Sequence, residues 1–431
     1  MNAQASVAVS DRSTPTARRP GALYWLALGT FAIGTEGFMI AALLTTIAVD
    51  IRVSVAQAGL LVSIFALAYA TSSPLLTALT GRVDRRQLLL GSMSLFAVFN
   101  LAAAQAHSFL ALAAARVLVA FAAGIYTPNA NALAGALVPA EQRGRAIAIV
   151  NGGLTAAIAL GVPLGALVGE RLGWRMTFVG VGVLSAIAAA GLARGLRRGI
   201  GASMVSASLH DRARAVRNPR VARTLAVTTL WATGSYAVYT YIAPLLYGAT
   251  RLRGSQIGLV LFTWGVAAGI GLFVSGNATD RFGTKVVLRG SLTSLSIALA
   301  GLAVVANVVA PAAAVLPVLA AMALWGMSSW AFFPAQQARF IELVGVPSAP
   351  VALSLNASFM YFGFSLGAAL GGFSLLHVGA RNLGFVGAMC DLAALTLLLV
   401  NQAHDVRPQS QHVASPDATS TAALEQGPRH V

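Results

Sequence analysis

Cysteine occurs once in 431 residues, at Cys390, and lysine once, at Lys285. A single thiol excludes an internal disulfide and any cysteine metal site. The near absence of lysine leaves arginine as the basic residue throughout, an association with G+C-rich coding and not a physical constraint. Charge of either sign is scarce. Only 10% of the chain is Asp, Glu, Lys or Arg, against about 25% in a soluble domain. The few acids and histidines show no metal-ligand spacing, and His107, His210, His377 and His404 fall near loops. No glycine-rich phosphate-binding loop with a Lys-Ser/Thr end is present, so ATP is not the expected energy source. No nucleophile–base constellation stands out, and an enzyme is not expected. The net charge of +16 does not point to nucleic acid, because the arginines lie between apolar spans and not in one patch.

What is present is apolar surface in excess. Hydrophobic residues make up 57% of the chain and the mean hydropathy is +0.76, more than one core can bury, so the surplus faces lipid. The apolar runs fall near 22–49, 57–79, 88–106, 109–135, 145–169, 175–195, 224–249, 256–278, 286–309, 312–338, 350–376 and 379–402. Each is about the length that a helix needs to cross a bilayer. None alternates as a barrel strand does, so twelve transmembrane helices are expected. Residues 1–21 and 403–431 read as polar, disordered tails. The pair Arg18–Arg19 is followed at once by Pro20 and then by a run too long for a signal peptide. The first helix is therefore expected to remain uncleaved.

Orientation follows from the arginines. With the N-terminus inside, the interior connections hold most of the basic residues. Both termini are then cytoplasmic. The longest interior connection, 196–222, carries Arg197, Arg198, Arg212, Arg214, Arg217 and Arg220. It divides the helices six and six, into bundles at 22–195 and 223–402. The halves echo each other: TGRVDRRQLLL after helix 2 matches GNATDRFGTKVVL after helix 8, and the glycine-rich helix 5 matches helix 11. The fold class is an all-α integral membrane protein, two pseudo-symmetric six-helix bundles with a site at the midplane between them.

Here the chain resembles the major facilitator superfamily, and within it the bacterial twelve-helix drug:proton antiporters. The closer match is the branch of arabinose-efflux, purine-nucleoside-efflux and chloramphenicol-resistance exporters. The resemblance spans about residues 22–402. It is carried by IGTEGFMIAALLTTIAVDI, QAGLLVSIFALAYATSSPLL, TGRVDRR, ARVLVAFAAG, GVPLGALVGERLGWRMTF, GNATDRFG and ALSLNASFMYFGFSLGAALGG. Three positions depart from the family pattern: Thr80 stands where the loop motif has glycine, the first loop lacks a glycine after its Asp-Arg pair, and Ala120 replaces a glycine of helix 4. The resemblance implies proton-driven efflux of a small organic molecule such as a drug or antibiotic, with no cofactor beyond the proton gradient. Its partners would be that substrate, protons and the lipid bilayer of a bacterial inner membrane. Sugar or purine-nucleoside export on the same fold is the alternative within transport, and a polytopic sensor or enzyme the alternative outside it. A monomer is expected.

Glu36, mid-way along the first span, is the residue around which this reading turns. An acid at that depth costs roughly 2.5–3.5 kcal/mol on insertion scales and is functional by default. Arg116 is the one basic residue well inside a span. Counted along their helices at about 1.5 Å per residue, the two lie at similar depth, which permits a pair that couples proton to substrate. Asp391, mid-span in helix 12, is expected to make a structural hydrogen bond, with a second proton site as the alternative. Gly161, Gly165, Gly169 and Gly173 share a helix face and permit close helix approach. Within this ladder, Gly161, Pro163 and Gly165 form the motif that the resemblance assigns to exporters. Asp84–Arg85 and Asp280–Arg281 recur at matching loops and are read as a conformational latch of the outward-open state. Tyr236, Tyr239, Trp330, Asn129 and Asn356 are the nominated lining of the substrate cavity.

Overall fold

The computed structural model describes residues 21–81, 83–196, 209–345 and 348–406. Both expected tails, apart from their innermost residues, and the first part of the linker lie outside these. Apolar runs without lipid-compatible partners for their backbone must satisfy it internally, and each closes as a helix. The first six are α1 (Gly21–Asp50), α2 (Val55–Leu79), α3 (Arg85–Ala104), α4 (Phe109–Ala136), α5 (Arg143–Leu172) and α6 (Trp174–Gly195). A linker helix, Leu209–Arg217, follows. Then come α7 (Pro219–Tyr239), α8 (Ser255–Phe282), α9 (Thr284–Val308), α10 (Pro311–Val344), α11 (Ala349–His377) and α12 (Leu383–Val406). Eleven described helices are individually long and apolar enough to cross a membrane.

The seventh span corrects the sequence reading. The run 224–249 is not one helix: α7 ends at Tyr239, and the chain turns at Thr240–Tyr241 before continuing as Ile242–Thr250. Pro244 explains the break, since its ring displaces the carbonyl four residues back, at Thr240, and it has no N–H to offer. The turn swings Tyr241 sideways, where it serves the seam described below.

Helix pairs within the halves match one for one. In the first half α1 packs on α5 and α6, α2 on α4, and α3 on α4 and α6. In the second, α7 packs on α11 and α12, α8 on α10, and α9 on α10 and α12. Adding six to each helix number turns one set into the other. The glycine ladders set the tightest pairs. A methyl at Gly161, Gly165 or Gly169 would run into Thr35, Met39 or Leu43 of α1, and one at Gly363, Gly367 or Gly371 would meet the α7 carbonyls of Thr229, Thr233 and Ala237.

Within α5 the ladder crosses a wide turn. Residues Ala157–Gly161 form a π-helical turn just before Pro163, whose missing N–H frees a carbonyl of the preceding turn. On the near side of that turn, Thr30 of α1 donates its hydroxyl to the Val150 carbonyl (2.5 Å), and Gly153 fits under Ala27 and Thr30.

The halves meet along two seams, α2–α11 and α5–α8, which the same six-helix shift interchanges. Both begin at the face opposite the arginine-rich loops. The first runs from Ala56, Tyr241 and Gly372 past Ser63–Ser365 to a stacked pair, Tyr69–Tyr361, with ring centroids 3.8 Å apart. The second runs from Gly254 against Glu170 to Gly265 against the Ile158 backbone and Gly269 near Thr155. Tyr69 and Gly269 lie equally far along their helices, about 21 Å from the start at 1.5 Å per residue. Beyond these levels, toward the arginine-rich face, the linker helix lies against α2, α7 and α11, and Arg212 donates to the Ser354 hydroxyl (2.7 Å).

Candidate functional site

Glu36 and Arg116 are both fully buried. Arg116 reaches from α4 to donate through Nη1 to Glu36 Oε1 on α1. α2 holds the other side of the arginine: its Nε faces the Leu61 carbonyl (3.5 Å), and its guanidinium lies over the Phe65 ring, 4.3 Å from the centroid. A cation on an aromatic face in a dry site is stabilised by up to about 2 kcal/mol. Among the described residues the pair leaves one atom on each side without a partner, Glu36 Oε2 and Arg116 Nη2. The equal depth read from the sequence thus becomes a direct contact.

An aromatic wall stands next to the pair, where the halves meet. Phe38, two residues on from Glu36, touches Tyr236, Tyr239 and Trp330 at centroid distances of 6.1, 5.8 and 6.2 Å. Tyr236 stacks on Phe364 at 3.6 Å, and Tyr239 donates its hydroxyl to the Phe38 carbonyl (3.1 Å). Three of the nominated cavity residues, Tyr236, Tyr239 and Trp330, therefore converge on the helix that carries Glu36.

The two nominated asparagines do not join them. Asn129 accepts from Arg85 (2.9 Å) and donates to the Ile125 carbonyl (2.6 Å), which ties α3 to α4 within the first half. Asn356 accepts from Thr228 (2.7 Å), which in turn accepts from Gln336 (2.9 Å), inside the second half. Residue type singled them out; their depth and facing follow from helix phase.

The Asp-Arg loops are also unequal. Asp84 caps α3 by accepting from the Gln87 N–H (3.0 Å). Arg85 is buried, and Arg86 donates to the Ala193 and Leu196 carbonyls (2.8 Å each) at the end of α6. Asp280 and Arg281 are exposed, and Arg281 lies over the Phe282 ring. Among the described residues Asp280 makes no ion pair.

Asp391 is fully buried, and among the described residues neither carboxylate oxygen has a hydrogen-bond partner. The expected structural hydrogen bond is absent. The acid lies against Gly234 of α7, whose lack of a side chain leaves room for it.

Other contacts were not anticipated. Ser63 and Ser365 donate reciprocally to each other's carbonyls (3.0 and 2.9 Å). Tyr241 donates to the Ala368 carbonyl (2.9 Å) and approaches that of Ala56 (3.4 Å), wedged against Gly59 and Gly372. At the end of α1, Asp50 accepts from Arg175 (2.5 Å) and Trp174 (3.2 Å). For the serine and Tyr241 contacts the glycine-rich face of α11 was the one sequence signal, and for Asp50 none stood out. No three His, Cys, Asp or Glu side chains cluster for a metal among the described residues.

The model of the Major Facilitator Superfamily matches residues 26–251 and 224–425. The chain belongs to the major facilitator superfamily. Across 381 residues it is 32% identical to YbcL of Bacillus subtilis, an uncharacterized transporter of this type, covering 88% of this chain and 95% of that one. It is 31% identical over 395 residues to the inner membrane transport protein YdhP of Escherichia coli, covering 90% and 97%. A chloramphenicol resistance protein of Streptomyces lividans is 32% identical over 264 residues, 61% of this chain and 67% of that one. Among solved structures, the nucleoside transporter NupG superposes with a TM-score of 0.70 at 16% identity, covering 88% of this chain and 99% of the other. This superfamily member is thus a multi-pass transporter and not an enzyme.

Proposed function

We propose that the chain is a proton-driven exporter of a small organic molecule, such as a drug or antibiotic, that works by alternating access. It sits in a bacterial inner membrane with both termini in the cytoplasm and works as a monomer. The observation that carries this reading is the buried Glu36–Arg116 pair beside an aromatic wall at the meeting of the halves. A proton taken up by Glu36 neutralises the acid and weakens its hold on Arg116. The arginine then rests on the Leu61 carbonyl and the Phe65 face, and the wall against which a substrate would lie is free to shift with α1. Proton and substrate thereby compete through one side chain. The likeness to a chloramphenicol resistance protein supports the drug class.

The seams support alternating access. They close the molecule on the face opposite the arginine-rich loops, which the positive-inside rule makes the outer face. Asp280 and Arg281, exposed in this state, fit a latch that engages only in the opposite one.

The test uses everted membrane vesicles with an acidic lumen and a panel of radiolabelled drugs, sugars and nucleosides. The reading expects accumulation of one drug-like class that collapses with a protonophore and is lost in Glu36→Gln. Accumulation indifferent to the protonophore refutes proton drive. Selective uptake of a sugar or nucleoside moves the substrate class and leaves the coupling intact.

A further inference from the structure

The second half holds a cavity that the transport reading does not use. It lies at the arginine-rich face among α7, α10 and α12, has a volume of about 300 Å³, and is lined by Arg220, Arg223, Arg339, Thr224, Asn401 and Gln402 over an apolar floor. Charge around it is unbalanced. Arg339 pairs with Glu342 (3.1 Å), whereas among the described residues Arg220 and Arg223 have no ion pair. Arg223 is held at the cavity by donating its Nε to the Pro219 carbonyl (3.1 Å).

A second observation points to a ligand. Gln402 is only 3% exposed. Its Oε1 accepts from Arg289 Nε (2.5 Å), which fixes the amide, and among the described residues its Nε2 donor has no partner. Among the residues that line this cavity, the guanidinium groups of Arg220 and Arg223 and the buried Gln402 amide outweigh one unpartnered acceptor, Asn401 Oδ1. This excess of donors and positive charge calls for a ligand rich in acceptor oxygens and negative in charge. Fork-shaped guanidinium groups match phosphate oxygens in pairs. A basic pocket between helices at the membrane surface is also where lipid headgroups bind.

We propose that this cavity binds a phosphate-bearing anion, drawn either from the headgroup of an anionic phospholipid or from the aqueous phase. It does so independently of the substrate site, since none of its residues reaches the Glu36–Arg116 pair.

The full-length protein, purified in detergent, tests this. Thermal unfolding midpoints are followed against inorganic phosphate and, separately, against mixed micelles containing phosphatidylglycerol or phosphatidylcholine. The variants are Arg220→Gln/Arg223→Gln, Gln402→Leu, and Arg194→Gln as an exposed arginine of the same face in the first half. Arg220→Gln alone, at an exposed position, covers the case in which the double variant does not fold. The parent and Arg194→Gln should show a saturable rise in midpoint. The cavity variants should need at least tenfold more of the same probe. A response to phosphate assigns a free anion, and a response to phosphatidylglycerol alone assigns a headgroup. Equal responses in all the proteins, or none to either probe, overturn the proposal.

Discussion

The reciprocal serine pair gives the seam between α2 and α11 a measurable strength. Ser63→Ala with Ser365→Ala removes both hydroxyl donors (3.0 and 2.9 Å). It leaves no buried orphan, because the accepting carbonyls lie within helices and keep their helical partners. The loss is then the net worth of two hydrogen bonds in a membrane protein, about 0.6 kcal/mol each. The sum, about 1.2 kcal/mol, is close to a sevenfold change in an equilibrium at 1.4 kcal/mol per decade. Each single variant should give about threefold. Nothing in the packing of the separate halves is disturbed, so the change falls on the balance between the sealed state and its alternative. Spin labels at Gln105→Cys and His377→Cys, at the ends of α3 and α11 on the sealed face and in different halves, report that balance once Cys390 has been replaced by serine. Distance distributions by pulsed electron resonance should show the long-distance population rising by that factor. A change below twofold, or one toward the short distance, would mean that the seam's strength lies in its ring contacts and not in its hydrogen bonds.

Three further outcomes are expected. Arg116→Ala strands a buried carboxylate and should lower stability by about 3–5 kcal/mol, while the double variant with Glu36→Gln should recover part of that; additive effects in thermal unfolding would refute the pairing. Gly161→Ala drives a methyl into Thr35 Oγ1 and to 3.0 Å from Thr35 Cβ and should cost about 1–3 kcal/mol, relieved in part by Thr35→Ala, which removes Oγ1 but keeps Cβ; calorimetry on the two variants checks the relief. Asp280→Asn, exposed in this conformation, should change stability by less than about 0.5 kcal/mol yet slow substrate turnover in vesicles; unchanged turnover would leave the loop no role beyond orientation.

Hydropathy and arginine placement carried the architecture, because lipid leaves a chain few choices. Eleven of twelve spans could be read to within about six residues, the largest miss being the inner end of α10 at Val344. The seventh failed at Pro244, a breaker whose effect the apolar run around it concealed. The ion pair was legible for a different reason: charges so rare in a span have few possible partners. Of the residues nominated for the cavity, Tyr236, Tyr239 and Trp330 do gather on Phe38 beside Glu36, because mid-span aromatics on α7 and α10 face the meeting of the halves. Asn129 and Asn356 had the right chemistry but a helix phase that turns them into their own halves. The seam residues Ser63, Ser365 and Tyr241 carry no signal as residue types. Their role comes from the opposing helix, which no single segment records.

The π turn of α5 has a consequence for how this helix can vary in length. Gly153 and Gly161 both face α1, yet they are eight positions apart. In a regular helix that separation would rotate one about 80° away from the other. A π turn absorbs one surplus residue, which brings the rotation back to about 20°. The surplus residue works as a built-in spacer. It lets a proline sit in the middle of the span while the glycines on either side stay in phase against α1. Removing one residue between 154 and 160 would convert the turn to ordinary helix and still keep the two glycine faces aligned, whereas adding one would set the halves of α5 out of register with the helix that carries Glu36.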